Sequence, residues 1–446
     1  MRGLAAAVFV GFVLAMLVSP SSTRAATCTF EQKQARAASL AAFQRTAAAA
    51  KRAYFKRHTS ARERAAFVKA QQRKLRALRS AAGCSVPPLP PSSDASCSFM
   101  LAPNAENARL GGGIRGPLFN EGPIAPEAVL PSRGHVNAVM LFVDFSDRPG
   151  NESLPAIGAI HTAALSFFEE VSYGRLTLSV TRVERWFRMP EPAPSYDPLA
   201  FHQHRFIAQA IAAADPAVDF SPYQFVFFVG ASGAILGNRG YAPAAGYGIR
   251  ADGTELRFSA ILDPDIRRFG NGASYVLNHE FSHTLGLPDL AGYVSGWDPM
   301  GPSSGNLWPS SAHFLGWHKW KLGWLDPPQL TCLHAPGRLE ETLTPIAVAG
   351  GKKLVVVPIT DSLAYVVEVR RPIGYDRDAC EEGVLVYTVN SQLLNSEGVV
   401  IVKGPPACGV ASPGALATGK AHDDSSVKVE VLASDGSAYR VRVTKK

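Results

Sequence analysis

From residue 132 to residue 335 the apolar positions follow an α/β order. VNAVMLFVDF (Val136–Phe145) and YQFVFFVG (Tyr223–Gly230) are continuous apolar runs, which predict strands covered on both faces. RLTLSVTRVERWFRM (Arg175–Met189) alternates with period two and predicts a strand with one solvated face. Helical spacing recurs over 157–171 and 199–214, and a further helix is expected to open near Gly272 or Ala273. His202 and His204, two apart on the second of these helices, point to different faces and read as surface or packing residues. The stretch from Gly246 to Leu262 predicts an edge strand along which an extended peptide pairs through its backbone. Trp317, Trp320 and Trp324, within a run that also holds Trp297 and Trp308, recur at i, i+3 and i+7. That spacing predicts one buried helix face in preference to a substrate groove.

Residues 336–446 turn to alternation: KKLVVVPI, AYVVEVRR, GVLVYTV, GVVIV, VKVEVLA and AYRVRV, parted by Gly, Pro, Ser and Asp. This spacing predicts an all-β, sandwich-like C-terminal domain. It carries no catalytic constellation, so bracing the preceding domain is its expected role, with matrix or carbohydrate binding the alternative.

The N-terminal third is organised differently. Residues 1–26 have Arg2, the apolar run LAAAVFVGFVLAMLV and a small-residue end, the pattern of a secretory signal peptide. That run is short for a membrane span, which takes about 20 apolar residues; a secreted, extracellular protein is expected. Residues 27–84 are free of Pro, and their apolar positions predict a helical hairpin with a break near His58. Between Cys28 and Cys84 stand 14 Lys or Arg against Glu31 and Glu63, whereas the whole chain carries a net charge of +8. The basic character therefore belongs to this block and not to the remainder. It reads as a propeptide, as a module for an anionic surface, or as a solvated hairpin; no specific nucleic acid is implied. Residues 85–131, dense in Pro and Gly, predict an extended, exposed linker suited to proteolytic activation. Six cysteines in an exported chain favour three disulfides, with Cys28–Cys84, Cys380–Cys408 and, by elimination, Cys97–Cys332 as the pairing. A Cys97 thiolate capping a metal in a zymogen is the competing role for that residue.

Chemistry concentrates in YVLNHEFSHTLGLPDLAGYVSGWDPMG (Tyr275–Gly301). His279 and His283 are four apart on a predicted helix, so both imidazoles leave one face and suit one metal ion. Glu280 lies between them, placed to act as general base toward a water in a hydrolytic zinc site. Gly286 and Pro288 end the helix abruptly, and Asp289 just beyond is the expected third ligand. Asp298, His313 and His318 stand as alternatives, and no Glu occurs between His283 and Glu340 to complete the site in another way. Asp144 and Asp147 are candidate calcium ligands, although calcium requires many more oxygens.

The pattern HExxHxxGxxD followed by Met300 in WDPMG resembles the metzincin clan of zinc peptidases. Within it, the chain resembles the secreted immune inhibitor A family, whose members carry HEFGHxLGLPDxY-like motifs. FFEEVSYGRLTL (Phe167–Leu178), VDFSPYQFVFFV (Val218–Val229), GWHKWKLGWLD (Gly316–Asp326) and VVEVRRPIGYD (Val366–Asp376) resemble that family's flanking blocks, so the likeness spans roughly residues 130–390. The resemblance implies a metzincin-like catalytic domain, zinc on His279, His283 and Asp289, Glu280 as general base, and Met300 in a Met-turn. One position departs: the Tyr that some metzincins carry two residues after the Met is here Pro302, with Tyr293 a disfavoured candidate to substitute for it.

The expected function is a secreted zinc metalloendopeptidase, monomeric, acting on protein or peptide substrates by Glu-assisted attack of zinc-bound water. One alternative keeps the site but hydrolyses a non-protein amide such as a cell-wall cross-link. The other is a surface-binding protein with a structural metal, a role that has no use for Glu280.

Overall fold

The computed structural model describes Ala70 and most of residues 120–446. Outside the described residues lie 1–69, 71–119, 125–128, 164–165, 197–202, 234–239, 242–247, 262–271, 291–293, 295, 302–311, 378, 380, 392, 394–399 and 405–413. The expected signal peptide, basic hairpin and the linker up to residue 119 fall there, as do Tyr293, Pro302, Trp308 and every cysteine except Cys332. The chain divides into two compact units, Met1–Asp94 and Ala95–Lys446, and the elements named below all belong to the second.

The first sheet of this second unit is built from β1 (Gly134–Asp144), β2 (Leu176–Arg188), β3 (Phe225–Gly230), β4 (Gly240–Tyr241), β5 (Ile249–Ala251) and β6 (Thr254–Ile261). The strand order is β2-β1-β3-β6-β4, with β5 on β6. β1 runs parallel to β2 and β3, and β3 parallel to β6, while β4 and β5 pair antiparallel to β6. Parallel neighbours need crossovers: α1 (Leu154–Ala163) and α2 (Ser166–Val171) lie between β1 and β2, α3 (Gln203–Ala214) between β2 and β3, and β4 and β5 between β3 and β6, with α4 (Gly272–Thr284) and the short α5 (Gly316–Lys321) after the sheet. The edge strand expected across 246–262 is instead the hairpin β5–β6. Because β6 takes β3 as its parallel neighbour, its outer side goes to β5 at one end and to β4 at the other.

Alternate residues of β1 face two different cores, which is why its apolar run is continuous. Val139, Leu141 and Val143 pack with Phe206, Ile207, Ala210 and Ile211 of α3. Val136, Ala138, Met140 and Phe142 face the other way, toward Leu277 and Phe281 of α4. Phe281 is fully buried, its ring centroid 4.6 Å from that of Phe168 and 4.9 Å from that of Phe225. An aromatic so enclosed contributes about 2–3 kcal/mol of burial and holds α4 against the sheet.

Beyond Gln329 the described elements are strands and one 3-10 turn, Gly374–Asp376. β7 (Leu330–Cys332), β9 (Leu354–Pro358), β10 (Leu363–Arg370), β11 (Gly383–Asn390) and β12 (Val400–Lys403) form a sheet of order β12-β11-β10-β9-β7. β8 (Gly337–Leu343), β13 (Ala421–Asp423), β14 (Val427–Ser434) and β15 (Tyr439–Lys445) form another, β13-β14-β15-β8. Val355, Val367, Val386, Val429 and Val441 share a core between these two sheets. The opposite face of the five-stranded sheet, with Leu354, Val366, Leu385 and Tyr387, joins the core that holds α4. That sheet is thus a wall of the α4 core, buried on both sides. Among the described residues no helix is long and apolar enough to cross a membrane.

Candidate metal centre

α4 ends as its sequence dictates. Gly286 has φ +99°, a left-handed conformation that costs glycine little, and the chain reverses there. The Gly286 N–H donates to the His283 carbonyl (3.0 Å) and the Leu287 N–H to the Ser282 carbonyl (3.2 Å). Pro288 then keeps the following segment out of the helix. A side chain on Gly286 would stand 3.1 Å from Ile124, so this turn is also packed from outside.

The reversal brings three ligating side chains together. His279 Nε2 lies 3.1 Å and His283 Nε2 3.4 Å from Asp289 Oδ1. The ligand atoms of all three sit within 4.8 Å of one another. The two rings stand at 89° with centroids 4.8 Å apart. Each imidazole has its other nitrogen committed: Nδ1 of His279 donates to the Pro299 carbonyl (2.8 Å) and Nδ1 of His283 to the Leu287 carbonyl (2.9 Å). A carbonyl only accepts, so both Nδ1 atoms carry protons and both Nε2 atoms are left to face the shared point. Two imidazoles and one carboxylate are a donor set for zinc or a similar divalent ion, and they fit it in number, type and spacing. Among the described residues this is the one group of at least three such side chains.

The electrostatics agree. Burial alone would lower the His279 pKa, but the Asp289 carboxylate and Glu280 outweigh it and hold the imidazole at about 9. Asp289 is itself partly desolvated, yet the two histidines keep its carboxyl far below the usual range. A metal ion held by these three side chains would therefore have to displace the proton from His279. Glu280 is half-buried beside His279, close enough to bias its charge.

The three residues kept as alternative ligands are engaged elsewhere. Asp298 Oδ1 accepts from the Met300 N–H and Oδ2 from the Leu315 N–H, each at 2.8 Å. His318 is fully buried between two carboxylates, its Nδ1 2.8 Å from Asp298 Oδ2 and its Nε2 3.0 Å from Glu121 Oε1. Both nitrogens must donate, which makes it an imidazolium; burial opposes that charge, and Asp298 and Glu121 raise the pKa to about 9. His313 Nε2 bonds Glu170 (3.2 Å) and its Nδ1 the buried Lys319 ammonium (3.0 Å). Burial and that ammonium bring it down to about 4.

Met300 is buried, and its carbonyl accepts from the Leu290 N–H at 2.8 Å, which joins the loop after Asp289 to the WDPMG loop. Beneath that loop lies Arg370 of β10, fully buried. It donates to the Trp297 carbonyl (2.7 Å), the His313 carbonyl (3.0 Å), Glu368 (2.7 Å) and Asp376 (3.1 Å). Three of the blocks singled out in the sequence meet there: Glu170 Oε1 accepts from the Tyr375 N–H, the Phe167 and Tyr375 rings stack edge to face at 4.9 Å, and Lys319 sits over the Tyr173 ring at 4.1 Å.

The tryptophan stripe and the exposed linker come out differently from the sequence expectation. Trp317 and Trp324 are buried and Trp320 half-buried, but α5 stops at Lys321 and Gly323, at φ +73°, turns the chain, so Trp324 is not on the same helix. Asp144 is paired with Arg188 and the Gly150 N–H, and Asp147 with the Ala193 N–H, so the two carboxylates serve separate partners. The linker is not exposed throughout: Glu121 and Gly122 are buried. Cys332 is disulfide-bonded, with its partner outside the described residues. Glu121 and Arg370 carry no signal in the sequence; one sits in a Pro/Gly-rich strap and the other in an apolar strand, and neither setting points to a link with the motif.

No family model matches this chain, and no curated protein does. Among solved structures it is similar to OgpA from Akkermansia muciniphila. The catalytically inactive form in complex with an O-glycopeptide (glycodrosocin) substrate is 12% identical, with 63% of this chain and 94% of that chain covered and a TM-score of 0.25. A crystal structure of the wild-type protein gives 12% identity, the same coverage and a TM-score of 0.26. At that identity and TM-score the likeness assigns no activity to this chain, and its function has to be read from the residues of the site.

Proposed function

We propose that this chain is an exported zinc metalloendopeptidase with a metzincin-like catalytic domain, in the manner of the immune inhibitor A family. The observation that carries the reading is the convergence of His279 Nε2, His283 Nε2 and Asp289 Oδ1 on one point. A zinc ion held there supplies Lewis acidity toward a carbonyl and makes water more acidic. The chain's own residues do the rest. The Leu287 and Pro299 carbonyls fix the tautomer and pitch of the two rings. Asp289, ionised at all ordinary pH values, supplies negative charge between them. Glu280 takes a proton from the attacking water and returns it to the leaving amine. A structural metal site has no use for such a carboxylate, which favours an enzyme over a surface-binding protein.

The test is Glu280→Gln in the full chain. Cleavage of a denatured protein substrate is expected to fall by at least about a hundredfold, the scale of a lost general base, with one zinc per chain retained. A variant that still cleaves contradicts the mechanism. Wild-type protein that opens purified cell-wall peptides but no protein substrate moves the reading to the amidase.

A further inference from the structure

The peptide plane between Pro299 and Met300 is gripped from both sides. Its carbonyl accepts from His279 Nδ1 at 2.8 Å, and its N–H donates to Asp298 Oδ1 at 2.8 Å. A peptide unit is rigid, so the orientation of the Asp298 carboxylate sets the direction in which that carbonyl points, and hence the pitch of the His279 ring. Asp298 is in turn held by His318 at 2.8 Å, and His318 by Glu121 at 3.0 Å. Glu121 Oε2 accepts from the indole N–H of Trp317 at 3.1 Å and faces the Lys321 ammonium at 3.7 Å. Glu121, His318 and Met300 have no exposure, and Asp298 has 2%. In such surroundings the links are little screened, and a charge that loses its partner is costly.

The strap around Glu121 also reaches the other end of the site. The Leu130 N–H donates to the Thr284 carbonyl at 2.8 Å, in the last turn of α4, and Ile124 packs on Gly286, where the chain turns toward Asp289. A segment that served only as a linker has no need of a buried carboxylate or of contacts at both ends of the ligand-bearing stretch.

We propose that Glu121 is a positioning residue of the metal centre, acting through His318, Asp298 and the Pro299–Met300 peptide on the ligand His279. The strap from residue 120 is then part of the working enzyme, and processing that activates the chain has to cut before it. This inference rests on reading His279, His283 and Asp289 as a metal site.

The test uses the full chain loaded with Co²⁺, whose visible bands report ligand geometry, and Zn²⁺ affinity measured by chelator competition. Glu121→Gln keeps the shape and removes the charge; Glu121→Ala removes both. Each variant is expected to bind Zn²⁺ about tenfold more weakly, the usual effect of disturbing a group that orients a ligand, and to shift the Co²⁺ bands at temperatures where it remains folded. A purely structural Glu121 would lower the melting temperature and leave the bands in place. Folded variants with wild-type bands and affinity within about twofold would overturn the proposal. Wild-type chain that binds no stoichiometric Co²⁺, with His279→Ala as the control, removes the metal site itself and the proposal with it. Should neither variant fold, the unaltered chain decides: the hydrogen-bonded ring N–H resonances of His318 are expected to move when Zn²⁺ is added to chelated protein. Resonances that stay put would refute the coupling.

Discussion

At the scale of single residues, a metal bound at the proposed site would compete with a proton on His279. His279 holds its proton to about pH 9, above its ordinary 6.5, because Asp289 and Glu280 outweigh the cost of burial. A raised folded-state pKa contributes stability that is fully present below 6.5 and is lost as pH climbs through 9. Asp289 has the opposite sign: its depressed carboxyl contributes above its ordinary 3.8 and loses that contribution only on acidification. In the chelated chain, melting temperature is therefore expected to decline from pH 6.5 to 9 more steeply than in His279→Ala, and Zn²⁺ affinity to rise over the same interval as the proton leaves. Thermal unfolding in chelator across that interval checks the first part; parallel profiles for the two proteins would contradict it.

At the scale of elements, α4 and the WDPMG loop are fixed less by their own propensities than by what they rest on. The helix is held by Phe281 among Phe168, Phe225 and Phe227, and the loop by Arg370, which reaches up from β10 to the Trp297 carbonyl. Arg370 is wholly buried with Glu368 and Asp376, so removing the cation strands two anions in a dry setting. Arg370→Met is expected to cost about 3–5 kcal/mol, a large part of the roughly 5–15 kcal/mol typical of a folded protein. Urea denaturation measures it, and a cost below about 1 kcal/mol would show that water reaches those carboxylates after all. The periodicity of β9, β10 and β11 was readable, since each is a short apolar run. Arg370 and Glu368 were not: within such a run a charged residue reads as solvated, and only the opposing Asp376, Tyr387 and Gly316 reveal it as paired.

At the scale of the whole second unit, the β-rich C-terminal domain is structural to the site. One face of its five-stranded sheet shares a core with α4 and α5, and the other packs on the β8–β15 sheet. A chain ended after Ala335 leaves Leu277, Trp317 and Leu325 without the wall formed by Leu354, Val366, Leu385 and Tyr387. It is expected to be insoluble or unfolded, with no cooperative transition by circular dichroism. A soluble, cooperatively melting fragment that binds Zn²⁺ would show that the part of the chain bearing the candidate site stands alone.

The convergence of His279, His283 and Asp289 was legible from residue order alone. Two histidines four apart, a glycine and proline that stop a helix, and an aspartate just beyond are short-range facts, settled by helix geometry and backbone conformation. The flanking strands were legible too, because period two and continuous apolar runs survive without context. What sequence left undecided was everything that depends on which distant residues meet: that Asp298, His313 and His318 bond to partners other than His279, His283 and Asp289, that the Pro299 carbonyl faces His279, and that Arg370 bonds the Trp297 carbonyl while Glu121 bonds His318. Contacts of that kind join residues from 20 to 197 positions apart, where no periodicity carries the information, and only the folded chain brings them within hydrogen-bonding range.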